Sequence, residues 1–420
     1  MENLSEQIYK IAQRAKQVSR EIAKASPKQK NSALTALARI LLDKQAEILK
    51  ANTLDIAAAQ KNNLSLPKID RLTLTEKIIQ GMADACLFIA GLPDPIGAMD
   101  KQWQRPNGLL VGKMRIPLGV IAMIYESRPN VTIDAAILCL KAGNAVILRG
   151  GSEAYHSNII LAQCIQEALF QSGFSKEIVQ YIENTDHESI YELCKLSRFI
   201  DVMIPRGGEK MVQSIASHAT MPVLKHDKGV PHLFVDESAD FAKTIEIIFN
   251  AKTQRTGVCN ALEGVLVHSA IAEKFIPLLE EKLAAKNVEI FACEKSLPLF
   301  KKLAKPIQEE HKGKEFGALQ MVCLLVNSLD EALDYIHQYG SQHTEVICTN
   351  NYEHAQRFLR EADAAMVAVN ASSRFNDGGE LGLGAEIGIC TTKMHAYGPM
   401  GVEELTTTKF VVYGNGQVRQ

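Results

Sequence analysis

The sequence predicts an α/β fold in which helices alternate with short, buried strands of parallel sheets. From about residue 108 onward, helical periods alternate with short apolar runs, for example at 120–125. Two glycine turns, Gly150-Gly151 and Gly207-Gly208, each stand between a strand and the next helix. Apolar residues make up 46% of the 420 residues, which is enough for a large core. This order of elements is typical of βαβ units.

The predicted elements form two series after a helical start. Two helices are expected at 2–24 and 27–51, where apolar residues recur at helical spacing among Ala, Lys and Gln. The first series predicts strands at 109–116, 120–125, 145–148, 178–182 and 199–204, with helices at 132–142, 154–171, 188–196 and 209–218. The second series predicts strands at 262–268, 320–326, 345–348 and 366–369, with helices at 270–285 and 329–338.

Charge and cysteine content argue against several classes of function. The chain has 46 basic and 48 acidic residues, a balance that argues against a nucleic-acid-binding surface. No apolar run approaches the ~20 residues of a membrane span, and the charged N-terminus lacks a secretory signal. The nine cysteines form no CxxC pair, and no HxxxH pair arises from His232, His268, His343 and His395. We therefore expect a cytoplasmic protein with reduced cysteines and without metal, nucleic-acid or membrane partners.

Cys259 is the candidate nucleophile. It closes the motif Gly257-Val258-Cys259, just before the apolar run that begins the second series. A loop at such a place can expose a thiol on a rigid scaffold, and the thiolate is the reactive form of cysteine. The alternative is a buried structural cysteine, which is what the apolar surroundings indicate for most of the other eight.

Polar segments that follow predicted strands are candidates for ligand binding. The turns at 149–152 and 206–208 each begin with arginine and precede a helix, so their backbone could approach a phosphate; the alternative is an ordinary βα turn. Residues 126–132 end a buried strand at the edge where open α/β sheets bind ligands, although they could also simply start a helix. The glycine-rich segment 382–388 follows a polar loop instead of a strand, so we expect a structural loop there.

Together these motifs resemble the γ-glutamyl phosphate reductase family of the aldehyde dehydrogenase superfamily. The resemblance extends from about residue 5 to 418 and is carried by the segments 125–132, 144–153, 254–261, 343–345, 370–378 and 382–388. It implies an aldehyde dehydrogenase-like fold of three parts. These are a Rossmann-like NADPH-binding domain (1–100 and 119–234), a catalytic domain (235–394), and an oligomerisation hairpin and tail (101–118 and 395–420). The strand character of 409–413 suits edge pairing with a partner subunit.

The resemblance also implies the reaction. This would be the NADPH-dependent reduction of L-glutamyl 5-phosphate to L-glutamate 5-semialdehyde and phosphate, the second step of proline biosynthesis from glutamate. Cys259 would form a thioester, and the side chain of Asn130 with the backbone N–H of Cys259 would hold the oxyanion. The resemblance further implies a homo-oligomer, a dimer or a tetramer, and suggests glutamate 5-kinase as the partner that hands over the substrate.

Further residues are assigned to ligands with the help of the resemblance. Arg149, Gly150, Gly151 and Ser152 would bind the cofactor, and Arg149 beside Ser152 favours the 2′-phosphate of NADPH. The second turn, Arg206-Gly207-Gly208, is assigned to the same cofactor, and Glu315 to its nicotinamide ribose. The candidates for the substrate carboxylate are Arg128, Ser373 and Arg374, and the candidate for its ammonium group is Glu126.

Lys225 marks a departure from hydrolytic aldehyde dehydrogenases. Those enzymes carry a glutamate base 34 residues before the cysteine, and Lys225 occupies that position here. The missing base favours a reductase whose thioester must not be hydrolysed before hydride arrives. Two alternatives stay open: a CoA-acylating aldehyde dehydrogenase, which also lacks the base, and a non-catalytic nucleotide-binding protein on the same fold.

Overall fold

The computed structural model describes residues 3–225 and 228–419. The chain divides into two compact units. The first comprises Met1–Lys225, Gly382–Gly388 and Met400–Gln420, and the second comprises His226–Leu381 and Ile389–Pro399. Within the described ranges, no helix combines the length and the apolar character that crossing a membrane requires.

Five helices begin the first unit: α1 (Leu4–Ile22), α2 (Pro27–Asp43), α3 (Gln45–Lys61), α4 (Leu66–Leu72) and α5 (Glu76–Gly91). Side-chain caps define three of the starts, and Thr75 provides one of them by accepting a hydrogen bond from the Ile78 N–H. Asn3 accepts a hydrogen bond from the backbone N–H of Glu6, and Ser26 forms a capping box with Gln29. The helix predicted over 27–51 is instead two helices, because Lys44 leaves the helical conformation at φ −99° and ψ 15°.

The first unit contains a four-stranded parallel sheet made of β3 (Val120–Tyr125), β4 (Ala145–Gly150), β5 (Val179–Tyr181) and β6 (Val202–Arg206), in the order β5-β4-β3-β6. Every residue of β3 and β4 is buried, as expected for a parallel sheet covered on both faces. The connecting helices are α6 (Asn130–Lys141), α7 (Tyr155–Gln171), α8 (Glu188–Cys194) and α9 (Glu209–His218). Glu126, Arg149 and Arg206 therefore lie at the carboxyl edge of this sheet.

A three-stranded antiparallel sheet also belongs to the first unit. It consists of β1 (Met99–Gln104), β2 (Leu110–Pro117) and the tail strand β16 (Thr406–Tyr413), in the order β1-β2-β16. The tail strand pairs with β2 along its whole length, from Thr406 opposite Pro117 to Tyr413 opposite Leu110. The predicted hairpin and tail therefore form one sheet within the chain.

The second unit contains a seven-stranded parallel sheet with the order β10-β9-β11-β8-β7-β12-β13. Its strands are β7 (His232–Val235), β8 (Gly264–His268), β9 (Glu289–Ala292), β10 (Ala304–Pro306), β11 (Gln320–Val326), β12 (Thr344–Cys348) and β13 (Met366–Val369). Its helices are α10 (Phe241–Thr253), α11 (Ala272–Ala284), α12 (Leu329–Tyr339) and α13 (Tyr352–Glu361). The short strands β14 (Ile389–Cys390) and β15 (Gly398–Pro399) pair separately. Leu233, Val265, Phe275 and Ile290 are among the fully buried residues of its core.

The alternation of parallel strands and helices confirms the predicted α/β class. The boundary between the two units differs from the one expected at 234, because the division follows Lys225. The physical reason is that β7 pairs with β8 and β12, so its hydrogen bonds belong to the second sheet. The final boundary differs as well, since Pro399 still belongs to the second unit.

Candidate active site

Cys259 lies in the loop between α10 and β8, at the amino end of a parallel strand. The loop is closed by backbone hydrogen bonds, from the Leu262 N–H to the Ala251 carbonyl (3.0 Å) and from the Ala261 N–H to the Val258 carbonyl (3.0 Å). The Cys259 side chain is partly exposed, whereas seven of the nine cysteines are buried. A thiol held in a closed turn and open to solvent has the placement that a nucleophile needs.

Asn260 fastens the cysteine loop to the segment 372–376. Its Nδ2 donates to the backbone carbonyl of Asn376 at 2.9 Å, and its backbone carbonyl accepts from the Ser373 hydroxyl at 2.7 Å. Ser373 is fully buried. Its hydroxyl therefore supports the cysteine loop. The contact of Ser373 with the substrate carboxylate stays a prediction.

Arg374 supplies a positive charge beside the cysteine loop. Its Nε donates to Oε1 of Gln254 at 2.8 Å, and its guanidinium interacts electrostatically with Cys259 and Asp377. Burial lowers the pKa of Arg374, and the charges of Asp377 and Cys259 oppose that shift. A neighbouring cation favours the thiolate form of a cysteine. The contact of Arg374 with the substrate carboxylate stays a prediction.

Gly229 permits a close approach to the cysteine that the sequence analysis missed. A Cβ atom at this position would lie 2.0 Å from the carbonyl oxygen of Cys259, so a side chain would displace the backbone of the loop. The Gly229 N–H donates to Oε2 of Glu315 at 3.1 Å. Gly229 therefore connects the cysteine backbone with the carboxylate that is predicted to hold the nicotinamide ribose.

A buried ion pair stabilises the base of the cysteine loop. Lys252 Nζ lies 2.7 Å from Glu263 Oε2 and donates to the Leu262 carbonyl at 2.8 Å. Burial raises the pKa of Glu263 to about 7 and lowers the pKa of Lys252. Glu263 Oε1 also accepts from the Gly317 N–H at 3.3 Å, two residues beyond Glu315. Removing one member of such a buried pair typically costs ~3–5 kcal/mol because the other charge is left uncompensated, so each side chain requires the other.

Asn130, the predicted oxyanion donor, is the first residue of α6 in the first unit. Its Nδ2 donates to Oδ2 of Asp134 at 2.9 Å, one turn along the helix. The preceding turn contains Ser127 at a φ of 50°. Glu153 stabilises that turn, because its Oε1 accepts from the Ser127 N–H (2.6 Å) and hydroxyl (2.7 Å). Glu153, the neighbour of Ser152, thus supports the start of α6.

Arg149 is the last residue but one of β4, and its guanidinium is turned towards backbone carbonyls. The side chain is only 5% exposed. It donates to the carbonyl oxygens of Gly150 (3.1 Å) and Thr185 (2.5 Å), while its buried Nε finds no hydrogen-bond partner among the described residues. The carbonyl contacts hold the positive charge in a fixed position next to the Gly150-Gly151 turn.

A carboxylate contacts the second predicted cofactor turn, Arg206-Gly207-Gly208. Oε2 of Glu126 accepts from the Gly208 N–H at 3.1 Å, and a Cβ atom on Gly207 would lie 2.7 Å from the Glu126 carboxyl carbon. Arg206 donates through Nη1 to the Ile387 carbonyl at 3.0 Å. Glu126 therefore contacts the turn assigned to the cofactor, and its role towards the substrate ammonium stays a prediction.

Comparison with known proteins gives a full-length match. Residues 2–290 match the family model described as the aldehyde dehydrogenase family. A protein named γ-glutamyl phosphate reductase from Oleidesulfovibrio alaskensis is 59% identical over 418 residues and covers 100% of both chains. Another of that name from Nitratidesulfovibrio vulgaris is 60% identical over 418 residues with the same coverage. The chain belongs to the γ-glutamyl phosphate reductase family.

Solved structures agree with this membership. The crystal structure of γ-glutamyl phosphate reductase from Thermotoga maritima matches with a TM-score of 0.95 at 42% identity, over 98% of this chain and 100% of that one. An acetylating aldehyde dehydrogenase from Geobacillus thermoglucosidasius matches with a TM-score of 0.70 at 17% identity, over 99% and 98%, which shows the fold alone. The predicted aldehyde dehydrogenase-like fold is thereby confirmed. As a γ-glutamyl phosphate reductase family member, the chain is an oxidoreductase of the aldehyde dehydrogenase type.

Sequence reasoning missed Gly229, Lys252 and Glu263 in this γ-glutamyl phosphate reductase family member. Gly229 offered one signal, since it stands four residues after Lys225 in a polar run between apolar segments. Lys252 and Glu263 each stand next to apolar residues and could have been suspected as a buried pair. In residues 3–225 and 228–419, no group of three or more His, Cys, Asp or Glu side chains is arranged to hold a metal ion.

Proposed function

We propose that this chain reduces L-glutamyl 5-phosphate to L-glutamate 5-semialdehyde with NADPH and releases phosphate, as a step of proline biosynthesis. The observation that carries the proposal is Cys259, partly exposed in a closed loop beside the charge of Arg374. The end-to-end similarity to proteins named γ-glutamyl phosphate reductase supports the substrate.

The first chemical step is attack by the Cys259 thiolate on the acyl carbon of the substrate. A C–S bond forms, the C–O bond to phosphate breaks, and phosphate leaves with the electron pair, which gives a thioester. This covalent route divides one difficult displacement into two easier steps. The Arg374 charge favours the thiolate, and the hydrogen bonds of Asn260 keep the loop in place while the bond forms.

Two donors are proposed for the oxyanion that develops on the substrate. These are the Nδ2 group of Asn130 and the backbone N–H of Cys259. Donors that are already oriented stabilise this charge more than water does, and removing one typically costs about 10²–10³-fold in kcat. The same donors would serve again when the thioester is reduced and the aldehyde leaves Cys259.

NADPH supplies the hydride when it is bound. The turn after β4 fits a cofactor phosphate, since Arg149 has a fixed guanidinium whose buried Nε has no hydrogen-bond partner in the ranges 3–225 and 228–419. Gly150, Gly151 and Ser152 follow it at the carboxyl edge of the sheet, before α7. Glu315, which accepts from the Gly229 N–H, is the candidate for the nicotinamide ribose. The turn after β6 would take part only if Glu126 released the Gly208 N–H.

The choice of acyl acceptor tests the proposed reaction. Run in the oxidative direction, glutamate 5-semialdehyde and NADP⁺ are expected to yield NADPH when inorganic phosphate is added, and at least about 100-fold more slowly with CoA, because a site that binds a small phosphate leaving group need not bind CoA. NADPH formation is followed by its absorbance. Turnover that requires CoA would contradict the proposal and favour a CoA-acylating enzyme.

Arg149 provides a separate test of the cofactor. Arg149→Ala is expected to raise KM for NADPH about tenfold or more and KM for NADH much less, because a charge-assisted bond to the 2′-phosphate is worth roughly 1.5–3 kcal/mol. Thermal melts of the variant serve as a control, since the bonds to the Gly150 and Thr185 carbonyls are lost as well. Equal changes in both KM values would show that Arg149 only supports the loop.

Assembly and location are proposed alongside the reaction. We propose a homo-oligomer, a dimer or a tetramer, that uses the sheet of β1, β2 and β16, whose Phe410 and Tyr413 side chains are exposed. Among the described residues, β16 pairs with β2 alone and so keeps one free edge. Substrate transfer from glutamate 5-kinase and a cytoplasmic location belong to the same proposal.

A further inference from the structure

Asp134 lies on α6, one turn after Asn130, and neither the reaction nor the cofactor proposal gives it a role. Its Oδ2 accepts from Asn130 Nδ2 at 2.9 Å. The side-chain amide of asparagine has two N–H donors and one carbonyl acceptor, and a carboxylate can only accept. An ionised Asp134 therefore selects the orientation in which the NH₂ group of Asn130 faces it, and it leaves the second N–H for another acceptor.

Charged groups from several elements surround Asp134 within the first unit. Arg206 at the end of β6 and Arg128 before α6 favour its ionised form, as does the bond from Asn130. Glu386, in the glycine-rich segment 382–388, opposes ionisation. Cys86 on α5 also interacts electrostatically with the carboxyl group. The glycine-rich segment 382–388 thus contributes a charge to this cluster.

We propose that Asp134 is a positioning residue that holds the Asn130 amide with one N–H directed to the oxyanion of the substrate. The inference rests on the proposed function, because it needs Asn130 as an oxyanion donor. Without the carboxylate, the amide can rotate by 180° and present its carbonyl oxygen to the developing negative charge. Such a flipped amide would repel the oxyanion and slow the chemical step.

The ionisation of Asp134 makes this orientation sensitive to pH. Burial raises the pKa of Asp134 to about 6, and the attraction of Arg206 reduces the shift. Below that pH the protonated carboxyl group can donate to the Asn130 carbonyl, so it no longer selects one orientation of the amide. Positioning by Asp134 is therefore complete above about pH 7 and is lost as the pH falls through 6.

The test compares Asp134→Asn with wild type across pH 5 to 8. Above pH 7 the variant is expected to lose about tenfold in kcat, a part of the 10²–10³-fold worth of an oxyanion donor, with KM for NADPH unchanged. The ratio of wild-type to variant kcat cancels ionisations that both enzymes share, and it should approach 1 near pH 5. A ratio that does not change with pH would overturn the proposal.

Asn130→Ala in both backgrounds shows whether Asp134 acts through Asn130. Once Asn130 is alanine, Asp134→Asn should lower kcat by less than about twofold. A purely structural role of Asp134 predicts instead that the two losses in kcat add, and that result would overturn this inference but not the proposed function. If Asn130→Ala left kcat unchanged, the oxyanion assignment would fail and this inference with it. An inactive wild type in the phosphate assay would instead contradict the proposed function.

A matched control comes from the neighbouring helix α5. Gln80 Nε2 donates to Asp84 Oδ1 at 2.9 Å, which is the same amide-to-carboxylate pair four residues apart, but it is exposed to solvent. Asp84→Asn should leave kcat and its pH profile unchanged. Thermal melts of Asp134→Asn and Asp84→Asn verify folding. Because an asparagine at 134 can still accept from the Asn130 amide, Asp134→Leu serves as a second variant that removes the acceptor altogether. The leucine variant should lose at least as much kcat as the asparagine variant, and a smaller loss would overturn the proposal.

Discussion

Cys259→Ala is expected to abolish turnover, with kcat lowered by several orders of magnitude and NADPH binding changed by less than about threefold. The loss arises because the thiolate forms the covalent bond to the substrate. Binding of the cofactor does not need the sulfur atom. The measurements are steady-state rates, cofactor titration by fluorescence, and mass spectrometry of the protein after mixing with substrate. The wild type should gain a glutamyl adduct, and the variant should gain none.

Cys293 provides the matched control for this experiment. It is the other cysteine with a partly exposed side chain, and it directly follows β9. Its Sγ lies 3.2 Å from the hydroxyl oxygen of Ser296. Cys293→Ala should keep kcat within about twofold, in the range of a conservative change away from the chemistry. A Cys259→Ala enzyme that retained a tenth of wild-type kcat would contradict the assignment of the nucleophile.

Lys225→Glu is expected to make the enzyme hydrolyse its own thioester. Hydrolytic relatives carry a glutamate at this distance before the cysteine, and a general base accelerates such a step by about 10²–10⁴-fold. With glutamate 5-semialdehyde and NADP⁺ in phosphate-free buffer, the variant should release glutamate while the wild type releases little. The alternative is that Lys225 only solvates the end of a strand, as most lysines do.

The control for this variant is Lys24→Glu, which makes the same charge change on an exposed lysine next to α1. It should release no more glutamate than wild type. Thermal melts and the phosphate-dependent rate verify that Lys225→Glu is folded and competent. If such an enzyme showed no rise in glutamate release, position 225 would not decide between reduction and hydrolysis.

Local patterns in the sequence were sufficient for the α/β class, and they made Cys259 a candidate nucleophile with a buried structural cysteine as the alternative. Apolar runs with helical or strand periods depend on neighbouring residues, so β3 at Val120–Tyr125 and β13 at Met366–Val369 appear where periodicity predicts them. Cys259 stands out because a glycine and a polar loop precede it and an apolar strand follows. The family resemblance then assigned the chemistry, since it compares whole motifs instead of single residues.

The tertiary structure alone decided which edge of each sheet carries the candidate groups. General experience with open α/β sheets points to the carboxyl ends of strands, and Arg149 and Glu126 do lie there in the first unit. In the second unit, Cys259, Gly229 and Glu315 all precede their strands and meet at the amino ends. Strand order in space is not encoded in any short segment, so sequence periodicity could not reveal this edge.

The sequence by itself thus predicted the α/β class and proposed the nucleophile, whereas the structure decided what holds each candidate group in place. Ser373 and Asn260 are 113 residues apart in the chain, and their hydrogen bond exists only because the sheet brings them together. The pair of Asn130 and Asp134 is local, four residues apart on one helix, yet its significance depends on the charges of Arg206 and Glu386 from distant segments. Side-chain identity is local information, whereas burial and electrostatic environment are sums over the whole fold.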